Sequence, residues 1–286
     1  MKIGAHVSTA GGLDKAIERA VAIEAEAIQI FGSPPQGWAA KPHAPETIRQ
    51  FTAKAHAADL VEAVFLHGVY LVNLATENQD NLKKGIDSLT FYLNLAHDIH
   101  AKGVIFHVGS HKGIGFDAVL PQIATSMKQA LDRSEDSWLI IENNAGQGQQ
   151  VGGNFTEINR IMDAVGSPRV KVCLDTAHCL ASGYDLRSEQ GVSEAMAAFE
   201  SAIGLENLAA VHANDSKAPL NSNVDRHENI GDGHIGREGF LSIMRHPAFR
   251  DAPFLLEVPG IENKGPDLEN IHRLKSIRAE ALGSRR

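Results

Sequence analysis

The sequence of 286 residues has few cysteines and no long apolar run. Its two cysteines, Cys173 and Cys179, are too few for the disulfide framework of a small secreted domain, so we expect two buried thiols. No apolar run approaches the roughly 20 residues that span a bilayer, and the first residues lack the basic and apolar regions of a secretory signal. The sequence therefore predicts a cytoplasmic protein with no membrane partner.

The sequence also has fewer basic residues than acidic ones. The chain has 27 Lys and Arg against 35 Asp and Glu, a formal net charge of −8. Taken alone, this balance argues against a nucleic-acid partner, because phosphate binding normally relies on a basic surface. Three bound divalent cations would add six positive charges to one cleft and bring the total to about −2. The charge therefore excludes a DNA partner only if the protein binds no metal.

Short apolar runs with strand character alternate with segments of helical spacing along the chain. The strand-like runs are Lys2–Val7, Ala27–Phe31, Val61–His67, Gly103–Val108, Trp138–Asn143, Val170–Asp175, Leu208–Asn214 and Pro253–Val258. The helical segments are Leu13–Ile23, Pro45–Ala58, Asn81–His100, Asp117–Asp132, Phe155–Val165, Ser193–Ile203, Gly239–Met244 and Asp267–Ala281. Strands without polar alternation are typical of a parallel sheet that is covered on both faces. Eight strand–helix units favour a closed (β/α)8 TIM barrel over an open doubly wound sheet.

No composition break marks a linker, so we expect one barrel domain over residues 1–286, with 282–286 as a loose tail. Three loops that follow strands are long for this fold: Gly32–Pro45, His67–Asp80 and Asp215–Glu238. Loops beyond roughly 12 residues inside a compact domain are usually functional. We expect these three to contact the substrate.

Nine side chains that can bind metal lie at or just after strand-like runs, or in the loop after the seventh run. They are His67, His107, Glu142, Asp175, His178, His212, Asp225, His227 and Glu257. The carboxyl ends of all barrel strands meet at one face, where enzymes of this fold assemble their active sites. Histidine mixed with carboxylates suits zinc, and manganese or iron accept the same ligands. The sequence therefore predicts a metal cluster at this face.

Nine ligands are too many for one ion and fit three. Neighbouring ions roughly 3.5–4 Å apart are a known device for in-line displacement at phosphorus, so phosphate ester hydrolysis is the favoured reaction class. His6 ends the first strand at the same face, and we interpret it as a group that either supports the metal ligands or faces the substrate. Lys217 and Arg226 lie in the loop after the seventh strand, where they could hold phosphates.

The segment Gly231–Gly236 reads G-x-G-x-x-G, a pattern of dinucleotide-binding loops when it follows a strand and opens a βαβ unit. Here it follows the charged run 225–229 inside a long loop. We therefore expect no nucleotide cofactor, and we interpret the segment as a flexible loop beside the metal site.

Five motifs resemble those of one known family. GAHVS, IENNAGQG, CLDTAH, HANDSK and DRHENIGDGHIG occur in the order found in endonuclease IV, the apurinic/apyrimidinic-site endonuclease of base excision repair. The resemblance extends from Lys2 to about Pro259, and the last motif is highly specific. It implies a (β/α)8 barrel with three zinc ions.

The resemblance also assigns ligands by motif. One zinc would be held by His67, His107 and Glu142; a second by Glu142, Asp175, His212 and Glu257; the third by His178, Asp225 and His227. Glu142 and Glu257 would act in catalysis with a metal-bound hydroxide. The family cleaves duplex DNA on the 5′ side of an abasic site, leaves a 3′-hydroxyl and a 5′-deoxyribose phosphate, and trims blocked 3′ ends.

Four loop residues would contact the DNA. Tyr70 and Leu71 match the family's loop residues and would wedge into the base stack, as apolar side chains do in bent DNA. The chain has Gln36 where the family commonly has Arg, two residues before Trp38, and we assign both to the DNA contact. We expect a monomer.

The runner-up is a metal-dependent sugar isomerase or epimerase on a similar barrel, which would also collect His, Asp and Glu at strand ends. Such an enzyme needs one or two ions, so it gives the group His178, Asp225 and His227 no purpose. A non-enzymatic DNA-lesion binding module is the third hypothesis, and it predicts binding of abasic duplex without cleavage.

Overall fold

The computed structural model describes residues 1–283, and within them eight parallel strands close into a barrel. These strands are β1 (Ile3–His6), β2 (Ile28–Ile30), β3 (Val64–His67), β4 (Gly103–Phe106), β5 (Trp138–Glu142), β6 (Val170–Asp175), β7 (Leu208–His212) and β10 (Phe254–Leu256). They follow one another around the barrel in chain order, and β10 pairs with both β7 and β1. The predicted (β/α)8 TIM barrel is thus confirmed.

Helices follow every barrel strand. They are α1 (Lys15–Ala22), α2 (Pro45–Ala57), α3 (Gln79–Asp98), α4 (Phe116–Asp132), α5 (Phe155–Val165), α6 (Thr176–Ser182), α7 (Glu189–Ala202), α8 (Gly236–Arg245) and α9 (Leu268–Gly283). A two-stranded antiparallel sheet of β8 (Asp215–Ser216) and β9 (His227–Glu228) stands between β7 and α8. In the part of the chain that the structure describes, no helix is long and apolar enough to cross a membrane.

Some local predictions were wrong. A 3-10 turn occupies Val61–Ala63, where we expected the start of β3, and neither α6 nor the β8–β9 sheet was predicted. Leu282 and Gly283 form the last turn of α9 instead of a loose tail, and the rest of the predicted tail, 284–286, lies outside the described residues. The assignment of residues 1–286 to one domain stays a prediction.

Side chains alternate between the two faces of each strand, and this alternation divides the core. A large apolar cluster packs between the strands and the helices, and it includes Phe51, Leu93 and Phe199. A smaller cluster from the other face of the strands consists of Ala27, Ala63, Phe65, Ile105, Ile140, Cys173, Ala209, Ala210 and Leu255. This smaller cluster lies directly before the strand ends that carry the predicted ligands.

Candidate metal centre and nucleic-acid interface

Six of the nine predicted ligands follow a residue of the smaller apolar cluster by two positions. The pairs are Phe65 and His67, Ile105 and His107, Ile140 and Glu142, Cys173 and Asp175, Ala210 and His212, and Leu255 and Glu257. Because side chains two apart on a strand face the same side, all six ligands point toward the barrel axis. The other three, His178, Asp225 and His227, come from α6, from the loop before β9 and from β9 itself.

The ligand atoms form three overlapping groups among the described residues, each with atoms within 4.8 Å of one another. The first is His67, His107 and Glu142; the second is Glu142, Asp175, His212 and Glu257; the third is Asp175, His178 and His227. Glu142 belongs to two groups, and so does Asp175. The three groups therefore form one continuous cluster, in which shared carboxylates can bridge neighbouring cations.

Glu142 is the centre of this cluster. Its Oε2 lies 3.2 Å from Nε2 of both His67 and His107, and its Oε1 lies 3.0 Å from Nδ1 of His212. The side chain is almost fully buried, so the carboxylate depends on these neighbours for compensation. Oε2 of Glu142 thus faces the histidines of the first group, and Oε1 faces the histidine of the second group.

Asp225 lies at the open side of the third group. Its Oδ1 is 3.2 Å from Nε2 of His178 and 3.4 Å from Nε2 of His227. Asp175 also contacts this group, with Oδ2 at 3.6 Å from Nε2 of His227. The structure thus brings together all nine predicted ligands, and it adds Asp175 to the neighbours of the third group. Their role as ligands stays a prediction.

Hydrogen bonds leave a free nitrogen on several of the histidines. Nδ1 of His67 donates to the carbonyl of Gly68 at 2.7 Å, and Nδ1 of His178 donates to the carbonyl of Asn143 at 2.9 Å. Buried nitrogens that make no hydrogen bond in the described chain include Nδ1 of His107 and Nε2 of His178 and His227. Buried polar atoms are almost always paired. Nε2 of His178 and Nε2 of His227 both face Asp225, so these two orphaned nitrogens fit divalent cations of the zinc class.

Burial and mutual charge shift the ionisation of the cluster in opposite directions. Burial by itself would raise the pKa of Glu142, yet His107 and His212 hold it well below its ordinary value. Burial would lower the pKa of His178, but Asp175 and Asp225 outweigh it and hold that pKa well above its ordinary value. Burial and neighbouring charges thus act against each other within the cluster.

Two asparagines that sequence reasoning missed hold the ligands in place. The side chain of Asn143 accepts from the backbone N–H of Asp175 at 2.7 Å. The side chain of Asn214 donates to Oδ2 of Asp175 at 2.7 Å and accepts from the backbone N–H of Glu257 at 2.8 Å. Each is the last residue of a predicted strand-like run, Trp138–Asn143 or Leu208–Asn214, and that position is the signal that could have found them.

The segment Gly231–Gly236 is fixed in place, which corrects our expectation of a flexible loop. The buried carboxylate of Asp215 accepts hydrogen bonds from the backbone N–H groups of Gly231, Gly233, Ile235 and Gly236. A Cβ atom at Gly233 would lie 2.5 Å from Oδ1 of Asp215, so only glycine fits there. The loop thus encloses a carboxylate of its own chain, and it supports β9 with His227.

A cavity of about 1800 Å³ opens above the cluster and is lined by His67, His107, His178 and Asp225, among others. Small-molecule sites usually enclose about 300–1,000 Å³. The cavity continues past the loop after β1 to Lys41 and Lys264. Its size and its basic margin suit a substrate larger than a monosaccharide.

The residues predicted to contact DNA have different environments. Tyr70 and Leu71 are 65% and 39% exposed, which is unusual for large apolar side chains. Gln36 is exposed, whereas Trp38 is half-buried and packs against the larger apolar cluster.

Arg226 and His6 line the cavity, whereas Lys217 does not. Arg226 is exposed and lines the cavity, while Nζ of Lys217 lies 3.5 Å from Oε2 of Glu228. His6 also lines the cavity, and its Nδ1 lies 2.9 Å from Nε2 of Gln29 and 3.4 Å from Oε1 of Glu257. His6 therefore contacts both the cavity and the cluster.

The fold and the ligand cluster define a barrel of a known class. Residues 17–279 match the family described as xylose isomerase-like TIM barrel. A D-tagatose 3-epimerase-like protein of known structure shares this fold with a TM-score of 0.75, over 99% of this chain and 98% of that one, at 16% sequence identity.

Two proteins with higher sequence identity to this chain narrow the class to one family. The probable endonuclease 4 of Halothermothrix orenii is 38% identical over 277 residues, which cover 96% of this chain and 99% of that protein. The crystal structure of endonuclease IV from Thermus thermophilus matches with a TM-score of 0.85 and 31% identity, over 99% of this chain and 100% of that one. The chain belongs to the endonuclease IV family, as the motifs predicted.

Proposed function

We propose that this protein is a zinc-dependent nuclease that hydrolyses the phosphodiester on the 5′ side of an abasic site in duplex DNA, in base excision repair. Its products would be a 3′-hydroxyl and a 5′-deoxyribose phosphate, and it would also trim blocked 3′ ends. The observation that carries the proposal is the continuous cluster, in which Glu142 and Asp175 each belong to two ligand groups. Membership of the endonuclease IV family supports the same activity.

Three zinc ions would be bound, although manganese or iron could take some positions. The first group would hold one ion, the second group another, and His178, Asp225 and His227 the third. When bound, such ions lower the pKa of water toward neutrality and stabilise charge on the attacking and leaving oxygens at phosphorus. The bound cations also offset the net charge of −8 at the place where a phosphate must approach.

The chain's own groups would hold the metal cluster together and position the DNA. Glu142 and Glu257 hold their oxygens against the same imidazole, with Nδ1 of His212 at 3.0 Å from Glu142 and 3.3 Å from Glu257. Arg226 at the cavity wall would contact backbone phosphates, and Tyr70 and Leu71 would insert where the base is missing. An abasic nucleotide has no base pair to lose, so its displacement into the cavity is comparatively cheap.

The runner-up is a metal-dependent sugar isomerase or epimerase. The shared barrel favours it only as a fold, because the similarity to the epimerase-like structure is 16% identity. Two observations favour the nuclease instead. The cavity of about 1800 Å³ exceeds the size that a monosaccharide needs, and the group around His178, Asp225 and His227 has no use in carbonyl polarisation.

The decisive experiment is a cleavage assay on an end-labelled duplex with one abasic analogue. Zinc-loaded protein should cut the strand on the 5′ side of the lesion, and chelator treatment should abolish the cut until zinc is restored. An undamaged duplex of the same sequence is the matched substrate control. Binding without cleavage would favour the lesion-binding module, and turnover of ketohexoses without DNA cleavage would favour the epimerase.

A further inference from the structure

Two histidines of the cluster have their protonation fixed by backbone carbonyls. Nδ1 of His67 donates to Gly68, and Nδ1 of His178 donates to Asn143. In the neutral form of both rings, Nε2 is therefore the nitrogen that carries the lone pair. Because the acceptors belong to the backbone, no single side-chain substitution removes them.

His212 has the opposite arrangement. Its Nδ1 faces the cluster, 3.0 Å from Oε1 of Glu142 and 3.3 Å from Oε2 of Glu257. Its Nε2 faces the side chain of Gln29, at 2.8 Å from Oε1. The nitrogen of His212 that can bind a metal is thus selected by a side chain.

The hydrogen bonds of Gln29 fix which end of its amide faces His212. Its Nε2 lies 2.6 Å from Oε1 of Glu257, and a carboxylate can only accept, so the amide nitrogen faces Glu257. The same nitrogen donates its second hydrogen to Nδ1 of His6 at 2.9 Å. The amide oxygen therefore faces His212, and Nε2 of His212 must be the donor.

Gln29 is a buried polar residue inside the barrel. It lies in β2, two positions after Ala27 of the smaller apolar cluster, and its side chain is fully buried. All three of its hydrogen bonds go to groups of the cluster or to His6. A buried polar side chain with both amide hydrogens and its oxygen in hydrogen bonds is costly to replace.

We propose that Gln29 is a positioning residue that keeps the proton of His212 on Nε2 and thereby makes Nδ1 its metal-binding atom. This inference rests on the proposed function, because it presupposes that the cluster binds metal. It adds to the proposed function by identifying one side chain of β2 as the group that orients His212 and Glu257. Partners of this kind, which hold a ligand's other nitrogen, typically change metal affinity 10- to 100-fold.

The test uses the zinc-loaded full chain in three variants. Gln29→Met keeps the length of the side chain but removes every hydrogen bond, and Gln29→Asn is a milder change that shortens the amide out of reach. Ile30→Met is the matched control, because Ile30 is the next residue of β2, is fully buried and packs in the larger apolar cluster. If Gln29→Met fails to fold, as judged by circular dichroism, Gln29→Asn provides the comparison.

Nitrogen-15 NMR of histidine-labelled protein reads the proton position directly. The wild type and Ile30→Met should show one ring with zinc on Nδ1 and a slowly exchanging proton on Nε2, a signal that His212→Asn removes. Gln29→Met and Gln29→Asn should lose that slow exchange. A wild-type His212 with zinc on Nε2, or an unchanged signal in both Gln29 variants, would overturn the inference.

Zinc release to a chromogenic chelator gives the second readout. One zinc per chain should leave Gln29→Met about 10- to 100-fold faster than it leaves the wild type, while Ile30→Met should match the wild type. If zinc leaves the wild type and both Gln29 variants at equal rates, only the role of Gln29 is refuted. A wild-type chain that retains no zinc after reconstitution refutes the metal site itself, and the two failures are thereby distinguished.

Discussion

The two ends of the barrel use charged residues in different ways. At the carboxyl end, Glu142 and Asp175 are buried among histidines, and the loops that follow the strands carry exposed apolar side chains. At the amino end, ion pairs such as Lys102 with Glu62, at 2.9 Å, and Arg278 with Glu26 stand at or near the surface. Exposed pairs contribute little to stability, whereas a buried charge that loses its partner is costly.

Non-glycine residues with positive φ occur at both ends, and at the carboxyl end they include Lys112, Asn221 and Asn223. The turns that lead from helices into strands contain non-glycine residues with positive φ, namely Glu24, Asp59 and His100, at 57°, 56° and 58°. Each of these turns ends a helix with local strain that is small and separate from its neighbours. The carboxyl end is instead one connected network, so a substitution there should affect several groups at once.

The largest effect should come from Glu142→Gln. The neutral amide cannot compensate two cations, so we expect metal loss and a fall in abasic-site cleavage of at least about 100-fold, beyond what loss of an outer partner alone costs. Metal content and cleavage rate would be measured together. Glu26→Gln at the amino end is the control and should retain both; wild-type turnover in Glu142→Gln would contradict the ligand assignment.

Asp215→Asn should have the next largest effect. The variant replaces a buried carboxylate that accepts from four N–H groups of the segment Gly231–Gly236, and hydrogen bonds to charged groups contribute about 1.5–3 kcal/mol each. Because the amide oxygen of the variant can still accept some of these bonds, we expect the free energy of unfolding to fall by about 2–3 kcal/mol, as measured by urea titration. Asp251→Asn, at an exposed position, is the comparison. An unchanged midpoint would mean that the loop does not depend on Asp215.

Tyr70→Ala should change DNA binding and leave the metal in place. Stacking of an aromatic side chain on a base contributes about 1–3 kcal/mol, so the Kd for abasic duplex should rise about 5- to 150-fold. Fluorescence anisotropy would measure binding, and zinc analysis would measure metal. Leu282→Ala is the control, because Leu282 is 49% exposed in the last turn of α9. Loss of metal in Tyr70→Ala would show that the loop is structural instead.

The smallest effect should come from His100→Gly at the amino end. Glycine adopts positive φ without the penalty of other residues, although it gives the unfolded chain more freedom. We expect the free energy of unfolding to rise by at most about 1 kcal/mol, with no change in cleavage. A clear loss of activity would show that the two ends are coupled.

Sequence reasoning identified the side chains of the cluster because most of them stand at a fixed place in a repeated pattern. His67, His107 and Glu142 end or follow apolar strands, and parallel strands in a barrel bring such positions to one face. Gln29 was missed because a single polar residue inside a short strand gives no periodic signal. Asp215 was missed because its partners are backbone N–H groups of residues 16 to 21 positions further along the chain.

The sequence by itself determined the barrel, the face on which the cluster lies and the chemical types of its side chains, since strand alternation and residue chemistry are local properties. Only the tertiary structure decided which oxygen of Glu142 faces which histidine, that Nδ1 of His212 faces the cluster, and that the glycine-rich segment encloses Asp215. These features depend on distances between residues far apart in the chain. Such distances exist only once the barrel has closed.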